Sequence, residues 1–440
     1  MLERWFGLRE AGTSVRAEVL GGATTFMTMA YIIFVNPAVL SQAGMDFGSV
    51  LTATCLSAAV ATWVMGLAAN YPIAMAPAMG ENFFFLGVVA GMGVPWQAVL
   101  AAVFVSGVAF FLLTFLRVRE LVIDAVPASL KHAIAAGIGF FIAFIGLVNA
   151  GIVERPAGGG IVHLGSVTRP ATLVAWAGLA ITVALMARRV RGAILLGMAA
   201  STALAWAAGL VRWQGAFAMP PSLAPTFLQL DLEALLDPNL VPIVVLFLFM
   251  AVFDAIGTLI GIGEQAGFLR DGKLPRATRA LMADSSGTVL GSLLGTSTVT
   301  AYVESATGVE AGARTGLANV VTGALFLAAL FAAPLVRMVG GGVPVDGGAV
   351  LQPLTAPALI VVGSLMAGNL LRIDWKDATE SFPAFLVIVG IPFSWSIADG
   401  IAFGFVSYPA LKLLAGRPRE ASALVYALGL LFVLRFALLG

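Results

Sequence analysis

Four polar side chains interrupt long apolar stretches of this sequence: Glu81, Asn82, Asp254 and Glu304. A carboxylate at the centre of a membrane helix costs at least about 2.5 kcal/mol, so acids in such stretches usually have a function. A carboxylate accepts two parallel N–H bonds, and a partly desolvated carboxylate takes up a proton readily. These residues therefore predict a site that binds N–H groups and exchanges protons.

The alternative interpretation of these four residues is structural. An acid can hydrogen-bond the ends of a broken helix or lie nearer the membrane surface, and an asparagine can cap a half-helix. The pattern favours function for Asp254 and Glu304, whereas for Glu81 and Asn82 both interpretations stay open.

The composition indicates which elements must hold these side chains. Of 440 residues, 60% are hydrophobic and only 11% are charged, against roughly 25% charged in a soluble domain. Apolar runs recur along the whole chain, so we expect it to cross the lipid bilayer many times. The 24 basic and 23 acidic residues are balanced and give no basic field for nucleic acid.

Reading the apolar segments at about 20 residues each predicts an all-α membrane protein with fourteen core spans. They form two sets of seven, and an odd number inverts the second set relative to the first. A cytoplasmic N-terminus (1–16), an extracytoplasmic linker (212–238) and an apolar C-terminal helix (416–440, apolar over 421–439) flank repeats at 17–211 and 239–415. The predicted spans are 17–41, 48–70, 73–93, 96–116, 128–150, 170–187 and 193–211, then 239–263, 281–295, 297–312, 315–338, 352–371, 379–396 and 397–414.

Lysine and arginine positions support this topology. Most of them fall in alternate loops, as Arg188, Arg189 and Arg191 do between the sixth and seventh spans. Because short cytoplasmic loops hold basic residues, we expect the N-terminus inside and the chain in the plasma (inner) membrane.

The third span of each repeat is interrupted. Pro72 and Pro77 oppose a continuous helix before Gly80, and a β-branched stretch, 296–300, precedes Glu304. Unpaired backbone survives in a membrane only where protein covers it or where it lines a cavity. We therefore expect two short extended pieces that pair near the membrane midplane, each leading into a half-helix.

A nucleobase suits such a site. Half-helix N-termini donate N–H groups to a carbonyl oxygen, carboxylates accept ring N–H groups, and apolar or aromatic walls stack on a flat ring. An anion would be repelled unless the acids were protonated.

These segments resemble the nucleobase-cation symporter-2 permeases, most closely the hypoxanthine/guanine (AzgA-like) branch of the xanthine/uracil permease superfamily. The resemblance covers nearly the whole chain. It implies a core domain (spans 1–4 and 8–11) and a gate domain (spans 5–7 and 12–14), with a purine held between spans 3, 8 and 10 and taken up by proton symport. The runs that carry it are 16–37, 281–285, 295–305 and 356–360.

By this resemblance Glu304 and Asn82 match the family's glutamate and asparagine and would bind substrate. The family commonly has two aspartates three residues apart in span 8, but here only Asp254 remains, and Ala251 replaces the other. Glu81 stands where the family usually has an apolar residue, so we hypothesise that it replaces the missing carboxylate. The full set of predicted substrate contacts is Glu304, Asn82, Asp254, Glu81, Thr300 and Ala301, with Asp254, Glu304 and Glu81 coupling protons.

Two further acids, Glu264 and Asp284, lie near the predicted cytoplasmic ends of spans 8 and 9. Solvated or hydrogen-bonded structural roles are expected for both. The sequence has no metal-ligand or nucleophile pattern, so we expect no cofactor and no enzymatic activity. Cys55, the single cysteine, is interpreted as packing.

The predicted function is uptake of guanine, hypoxanthine or adenine with protons by alternating access. Two alternatives stay open: a transporter of another base-like solute such as xanthine, urate or uracil, or an anion transporter of the same fold. Related permeases are often dimers, so a homodimer is among the expected partners.

Overall fold

The computed structural model describes residues 2–116, 126–154, 162–269, 274–345 and 350–439. Helices dominate it, and in lipid they are favoured because a helix satisfies its own backbone polar groups. The helices are α1 (Leu2–Phe6), α2 (Val15–Met29), α3 (Ile32–Leu40), α4 (Phe47–Val64), α5 (Met79–Met92), α6 (Trp96–Phe115), α7 (Ala128–Asn149), α8 (Pro170–Ala187), α9 (Ala193–Ala207), α10 (Val241–Gln265), α11 (Ala277–Leu294), α12 (Ser305–Glu310), α13 (Leu317–Ala329), α14 (Ala333–Gly340), α15 (Ala356–Met366), α16 (Ala378–Ser394), α17 (Ile397–Leu414) and α18 (Ala423–Leu439).

Each predicted span contains at least one of these helices, and the fold class expected from sequence is confirmed. Within the described ranges, eight helical segments are long and apolar enough to cross a membrane, among them Val15–Ala43 and Val241–Gln265. Shorter apolar helices, such as Met79–Met92 and Ala193–Ala207, fill other predicted spans. The expected C-terminal helix is α18, which packs along α17.

Several predicted boundaries differ from the helix ends, and two of them have a clear local reason. The seventh span was expected to reach residue 211, but α9 ends at Ala207 because Gly209 adopts a left-handed conformation with φ of 71°. The ninth span was expected to begin at residue 281, but α11 begins at Ala277. Its first turn contains Thr278 and Arg279, which are helical without being apolar.

The two interruptions pair with each other, as the sequence predicted. Strand β1 (Met75–Pro77) is antiparallel to the strand Val299–Ala301, with Met75 opposite Ala301 and Pro77 opposite Val299. Backbone bonds continue the ladder at both ends, from Ala78 N to Thr298 O (2.8 Å) and from Tyr302 N to Ala74 O (2.9 Å). We call this element the crossed strands. It joins the third span of one repeat to the third span of the other.

Two small hairpins complete the strands. In chain order β2 (Val153–Glu154) pairs with β3 (His163–Leu164), Val299–Ala301 is β4, and β5 (Val343–Pro344) pairs with β6 (Val350–Leu351). They lie far in sequence from the crossed strands.

The helices pack in two groups. The strand-bearing group, α2–α6 and α10–α14, surrounds the crossed strands, and the flanking group contains α7–α9 and α15–α17. Glycines bring helices close within each group: a Cβ at Gly139 of α7 would lie 2.5 Å from Met366 Cβ of α15. The division into a core and a gate domain that move against each other remains a prediction.

A buried acid ties the two repeats together. The Oε1 atom of Glu18, in α2, accepts bonds from Arg314 N (2.8 Å) and Thr315 N (3.1 Å), and its Oε2 accepts one from Ala318 N (3.1 Å). These amides lie at the start of α13, where negative charge also suits the helix dipole. Glu18 therefore caps a helix about three hundred residues away in sequence.

An ion cluster lies where α16, α17 and the C-terminal segment meet, and we call it the lysine cluster. Lys412 is fully buried, with its Nζ 2.7 Å from Glu380 and 2.9 Å from Glu420. Arg417 bonds to Asp377 (2.7 Å) and to Glu420 (2.5 Å). A buried charge is tolerated only when it is paired, so these contacts fix the ends of α16 and α17 relative to each other.

Candidate functional site

Glu304 lies between β4 and the short helix α12, at the end of the crossed strands. Its side chain is partly buried, and its Oε1 accepts a hydrogen bond from the Tyr31 hydroxyl at 2.7 Å. The hydroxyl of Thr28, one turn earlier in the first span, contacts Thr307 Oγ1 at 3.0 Å. The first span therefore positions both Glu304 and the half-helix that follows it.

Glu81 and Asn82 occupy the first turn of α5, directly after β1, and both are buried. The Asn82 Oδ1 accepts a short hydrogen bond from the Ser297 hydroxyl, which leaves the amide nitrogen to donate elsewhere. Neither Asn82 Nδ2 nor Glu81 Oε1 has a hydrogen-bond partner among the residues that the structure describes. A donor and an acceptor in consecutive residues thus stand unpaired, which is costly unless a ligand or a proton satisfies them.

Asp254 lies in the middle of α10 and, unlike its neighbours, is exposed. It is within electrostatic range of Glu304, Glu81 and Asp284. Ala251, three residues earlier, is fully buried. The structure therefore brings the predicted acids together around the crossed strands, and Asp254 has the most exposed side chain among them.

Thr300 and Ala301, both buried, lie on β4, but their polar groups are directed to Asp284. The Asp284 carboxylate accepts bonds from Thr300 Oγ1 (3.0 Å) and Ala301 N (2.8 Å). These two bonds already use the Thr300 hydroxyl and the Ala301 amide. Substrate contact by Thr300 and Ala301 remains a prediction.

The position expected for Asp284 was wrong. It lies not near the end of its helix but seven residues after Ala277, with none of its surface exposed. On the opposite strand Thr62 of α4 makes the equivalent contacts, donating to Met75 O (3.1 Å) and accepting from Met75 N (2.9 Å). Because Met75 is the register partner of Ala301, the second span of each repeat holds one of the crossed strands. Glu264 is exposed in the last turn of α10, outside the acid cluster.

Three residues of the site were not predicted from sequence. Tyr31 orients Glu304, Ser297 orients Asn82, and the Tyr302 hydroxyl donates to Pro77 O at 2.5 Å. Tyr302 is also within electrostatic range of Glu304, Asp254 and Glu81. Tyr31 and Tyr302 carry a visible signal, because a tyrosine hydroxyl inside an apolar stretch needs a buried partner. Ser297 carries none, since serines are common in such segments.

Aromatic rings follow the site residues of α5. Phe83, the residue after Asn82, meets Phe141 of α7 edge to face at 6.5 Å between ring centroids. Phe141 in turn meets Trp395 at 5.9 Å. These rings join the strand-bearing group to the flanking group. Within the described ranges no group of three or more histidine, cysteine, aspartate or glutamate side chains is arranged to hold a metal ion.

Known proteins similar to this chain are permeases. The adenine permease AdeP of Escherichia coli is 45% identical over 438 residues, covering 99% of this chain and 96% of that protein. The guanine/hypoxanthine permease PbuG of Bacillus subtilis is 43% identical over 451 residues and is covered completely, as is this chain. Both likenesses extend over all fourteen predicted spans.

Solved structures of low sequence identity share the fold. The transmembrane domain of the cyanobacterial bicarbonate transporter BicA aligns with a TM-score of 0.62 at 16% identity, over 87% of this chain and 97% of that one. SLC26A9 aligns with a TM-score of 0.64 at 12% identity, over 91% of this chain and 66% of that one. These likenesses show the arrangement of two inverted seven-span repeats.

A family model described as "Permease family" (Xan_ur_permease) matches residues 16–403, which include both repeats up to the last span. This confirms the resemblance seen in the sequence, and permeases are transporters rather than enzymes. The chain is therefore a multi-pass membrane protein that belongs to the Xan_ur_permease family.

Proposed function

We propose that this chain is a secondary active transporter that imports a purine nucleobase by proton symport with alternating access. The observation that carries the proposal is the unpaired donor and acceptor of Asn82 and Glu81, beside Glu304 and Asp254 at the crossed strands. A purine offers N–H donors as well as carbonyl-oxygen or ring-nitrogen acceptors, which are the partners that these two atoms lack.

Base recognition would rest on orientation as much as on charge. The Tyr31 hydroxyl holds one oxygen of Glu304, and the Ser297 hydroxyl holds the amide oxygen of Asn82. Asn82 can then only donate through its nitrogen, to a carbonyl oxygen or a ring nitrogen. A site with fixed hydrogen-bond directions rejects ligands that leave its buried groups unpaired.

Proton coupling would use the same acids. Several carboxylates within electrostatic range of one another cannot all be ionised in a poorly hydrated site. Glu81 is only 3% exposed and lacks a partner for Oε1, whereas Asp254 is open to solvent. We infer that Asp254 exchanges the proton with water and that Glu81 and Glu304 hold it while the site is closed.

The similar permeases support a purine without choosing among purines. Adenine is named for one relative at 45% identity, and guanine and hypoxanthine for another at 43%. We therefore propose adenine, guanine or hypoxanthine as substrate. We also place the chain in the plasma membrane with its N-terminus in the cytoplasm, from the positions of its basic residues.

Anion transport is the competing function, because the proteins that share the fold include a bicarbonate transporter. Four acids around one site oppose it, since an anion would meet negative charge with no lysine or arginine among these site residues. The likeness to that transporter extends to the fold alone.

Uptake into proteoliposomes tests the proposal. Labelled adenine, guanine, hypoxanthine, xanthine, uracil and bicarbonate would each be offered with and without an inward-directed proton gradient. We expect uptake of at least one purine, stimulated by the gradient. Uptake of bicarbonate but of no base, or of a base without any response to the gradient, would contradict it.

A further inference from the structure

We propose that one face of α10, formed by Asp254, Gly257, Gly261 and Glu264, lines a water-filled passage from the acid cluster to the cytoplasm. We call it the α10 face. Residues at this spacing lie on one side of a helix. All four are exposed, and a Cβ placed on Gly257 or Gly261 would meet no atom within 4 Å.

The opposite face of α10 is packed. Ala255, Leu259 and Ile262 are buried, and a Cβ at Gly263 would lie 2.9 Å from Leu274. The open glycines are therefore a feature of one face and not of the whole helix end. Glycine keeps that face narrow, so more room remains for water or a small solute in front of it.

The α10 face has an acidic side chain at each end, which indicates that the face contacts water and not lipid. Asp254 lies at the end of the face next to the acid cluster, and Glu264 lies at its proposed cytoplasmic end. There the neighbouring Gln265 donates to Glu310 at 2.7 Å. Ionisable side chains in membrane segments face a protein interior or a water-filled cavity, because exposure to hydrocarbon is costly.

The flanking group stands beside the same face and supplies the second wall. Lys131 at the start of α7 lies over the Phe253 ring at 5.2 Å, and Phe249 approaches Phe405 of α17 at 6.4 Å. The strand-bearing and flanking groups also meet at Gly80 of α5, where a Cβ would lie 3.1 Å from Ile138 of α7. The α10 face therefore lies beside the boundary between the two groups.

Cysteine accessibility tests this passage in the complete chain. Cys55, the only native cysteine, is buried with none of its surface exposed, so the parent chain should not react. Gly257→Cys and Gly261→Cys would each be treated with a membrane-impermeant, positively charged thiol reagent. Inside-out and right-side-out vesicles would be compared. Ala255→Cys, on the packed face of the same helix, is the matched control.

We expect both glycine variants to be labelled in inside-out vesicles and to be labelled less in right-side-out vesicles, with Ala255→Cys at the parent level. Labelling of the glycine variants only by a membrane-permeant maleimide would mean a lipid-facing surface and would overturn the proposal. Equal labelling from both sides, or labelling from the outside only, would overturn the cytoplasmic assignment. If Gly257→Cys does not fold, Glu264→Cys reports on the same passage.

This experiment needs no transported substrate, so it is decided separately from the proposed function. A labelled passage with no purine uptake would leave the inference standing. Adding adenine, guanine or hypoxanthine then connects the two, since a base bound at Asp254 should slow the labelling of Gly257→Cys.

Discussion

Glu81 is the residue that most distinguishes this site. It adds a carboxylate to the third span, while Ala251 leaves a gap in the eighth, where the family resemblance implies an acid. In the structure Glu81 is within electrostatic range of Asp254, which lies one helical turn from Ala251. The hypothesis that Glu81 supplies the missing charge is therefore consistent with the geometry and stays a prediction.

Replacing Glu81 by glutamine should reduce uptake, because an amide neither binds a proton nor accepts as strongly as a carboxylate. A hydrogen bond to a charged group contributes about 1.5–3 kcal/mol, so we expect initial uptake to fall by about tenfold or more. Adding Ala251→Asp to the Glu81→Gln variant should restore part of the loss. Labelled purine uptake at equal membrane abundance measures both, and unchanged uptake by Glu81→Gln alone would refute the role.

The contacts of Asp284 lead to a second prediction about a single residue. Both bonds end at one carboxylate oxygen, Oδ2, so an asparagine amide oxygen could keep them, whereas leucine has a similar shape and no polar atom and loses both. We expect Asp284→Leu to lower the melting temperature and to reduce uptake, since β4 leads directly into Glu304. Thr300→Val removes only the hydroxyl bond and should have the smaller effect. Thermal unfolding in detergent and uptake would be compared, and the reverse ranking would count against this role.

At the scale of elements, the crossed strands were predictable and the depth of Asp284 was not. Pro72 and Pro77 in one segment and a β-branched run in the other indicate extended backbone, and burial in a membrane requires such segments to pair. Hydropathy recognised span 9 only from Leu281, which placed Asp284 in its first turn. The helix begins four residues earlier, because a helix can include a polar turn that a hydropathy window omits. The partners Tyr31 and Ser297 depend on tertiary packing, which local sequence does not encode.

The crossing of α7 and α15 depends on glycine. A Cβ at Gly363 would collide with the Gly139 carbonyl oxygen and lie 2.7 Å from Ala143 Cβ. We expect Gly363→Ala to destabilise the fold by about 1–3 kcal/mol, the usual range for overpacking. Gly368→Ala, where a Cβ meets nothing within 4 Å, is the control and should be close to neutral. Thermal unfolding in detergent measures both, and equal stability of the two variants would show that the crossing can relax.

The lysine cluster predicts a pH dependence of stability. The Thr379 hydroxyl and the Arg417 guanidinium hold the pKa of Asp377 well below its usual range. A lowered pKa means that the ionised form stabilises the fold above the unfolded pKa of about 3.9, and that this contribution is lost as pH falls. Asp377→Asn should therefore lower the melting temperature at about pH 7 and lower it less at about pH 3, because the contribution is lost only as pH falls from the unfolded pKa towards the lower folded pKa.

Asp374→Asn is the control for the lysine cluster, because it changes an acid in the same loop that lies outside these ion pairs. It should leave the melting temperature nearly unchanged at both pH values. If Asp377→Asn lowered stability equally at neutral and acid pH, the ion pair with Arg417 would not be the cause.

For the whole molecule, symport of a neutral base with a proton moves positive charge inwards. A membrane potential contributes about 2.3 kcal/mol per elementary charge per 100 mV. An inside-negative potassium diffusion potential should therefore accelerate purine uptake even without a pH gradient. Uptake with and without valinomycin measures this, and the same rate at every potential would rule out net movement of charge.

The bonds between Glu18 and the amides at the start of α13 can form only after both segments have been synthesised. The amides that Glu18 caps are made about three hundred residues after it. At about 5–20 residues per second, this carboxylate waits roughly 15 to 60 seconds for its partners. During that interval the Glu18 carboxylate in the first span lacks these hydrogen-bond partners. Insertion of the second repeat therefore supplies the bonds that the first repeat needs.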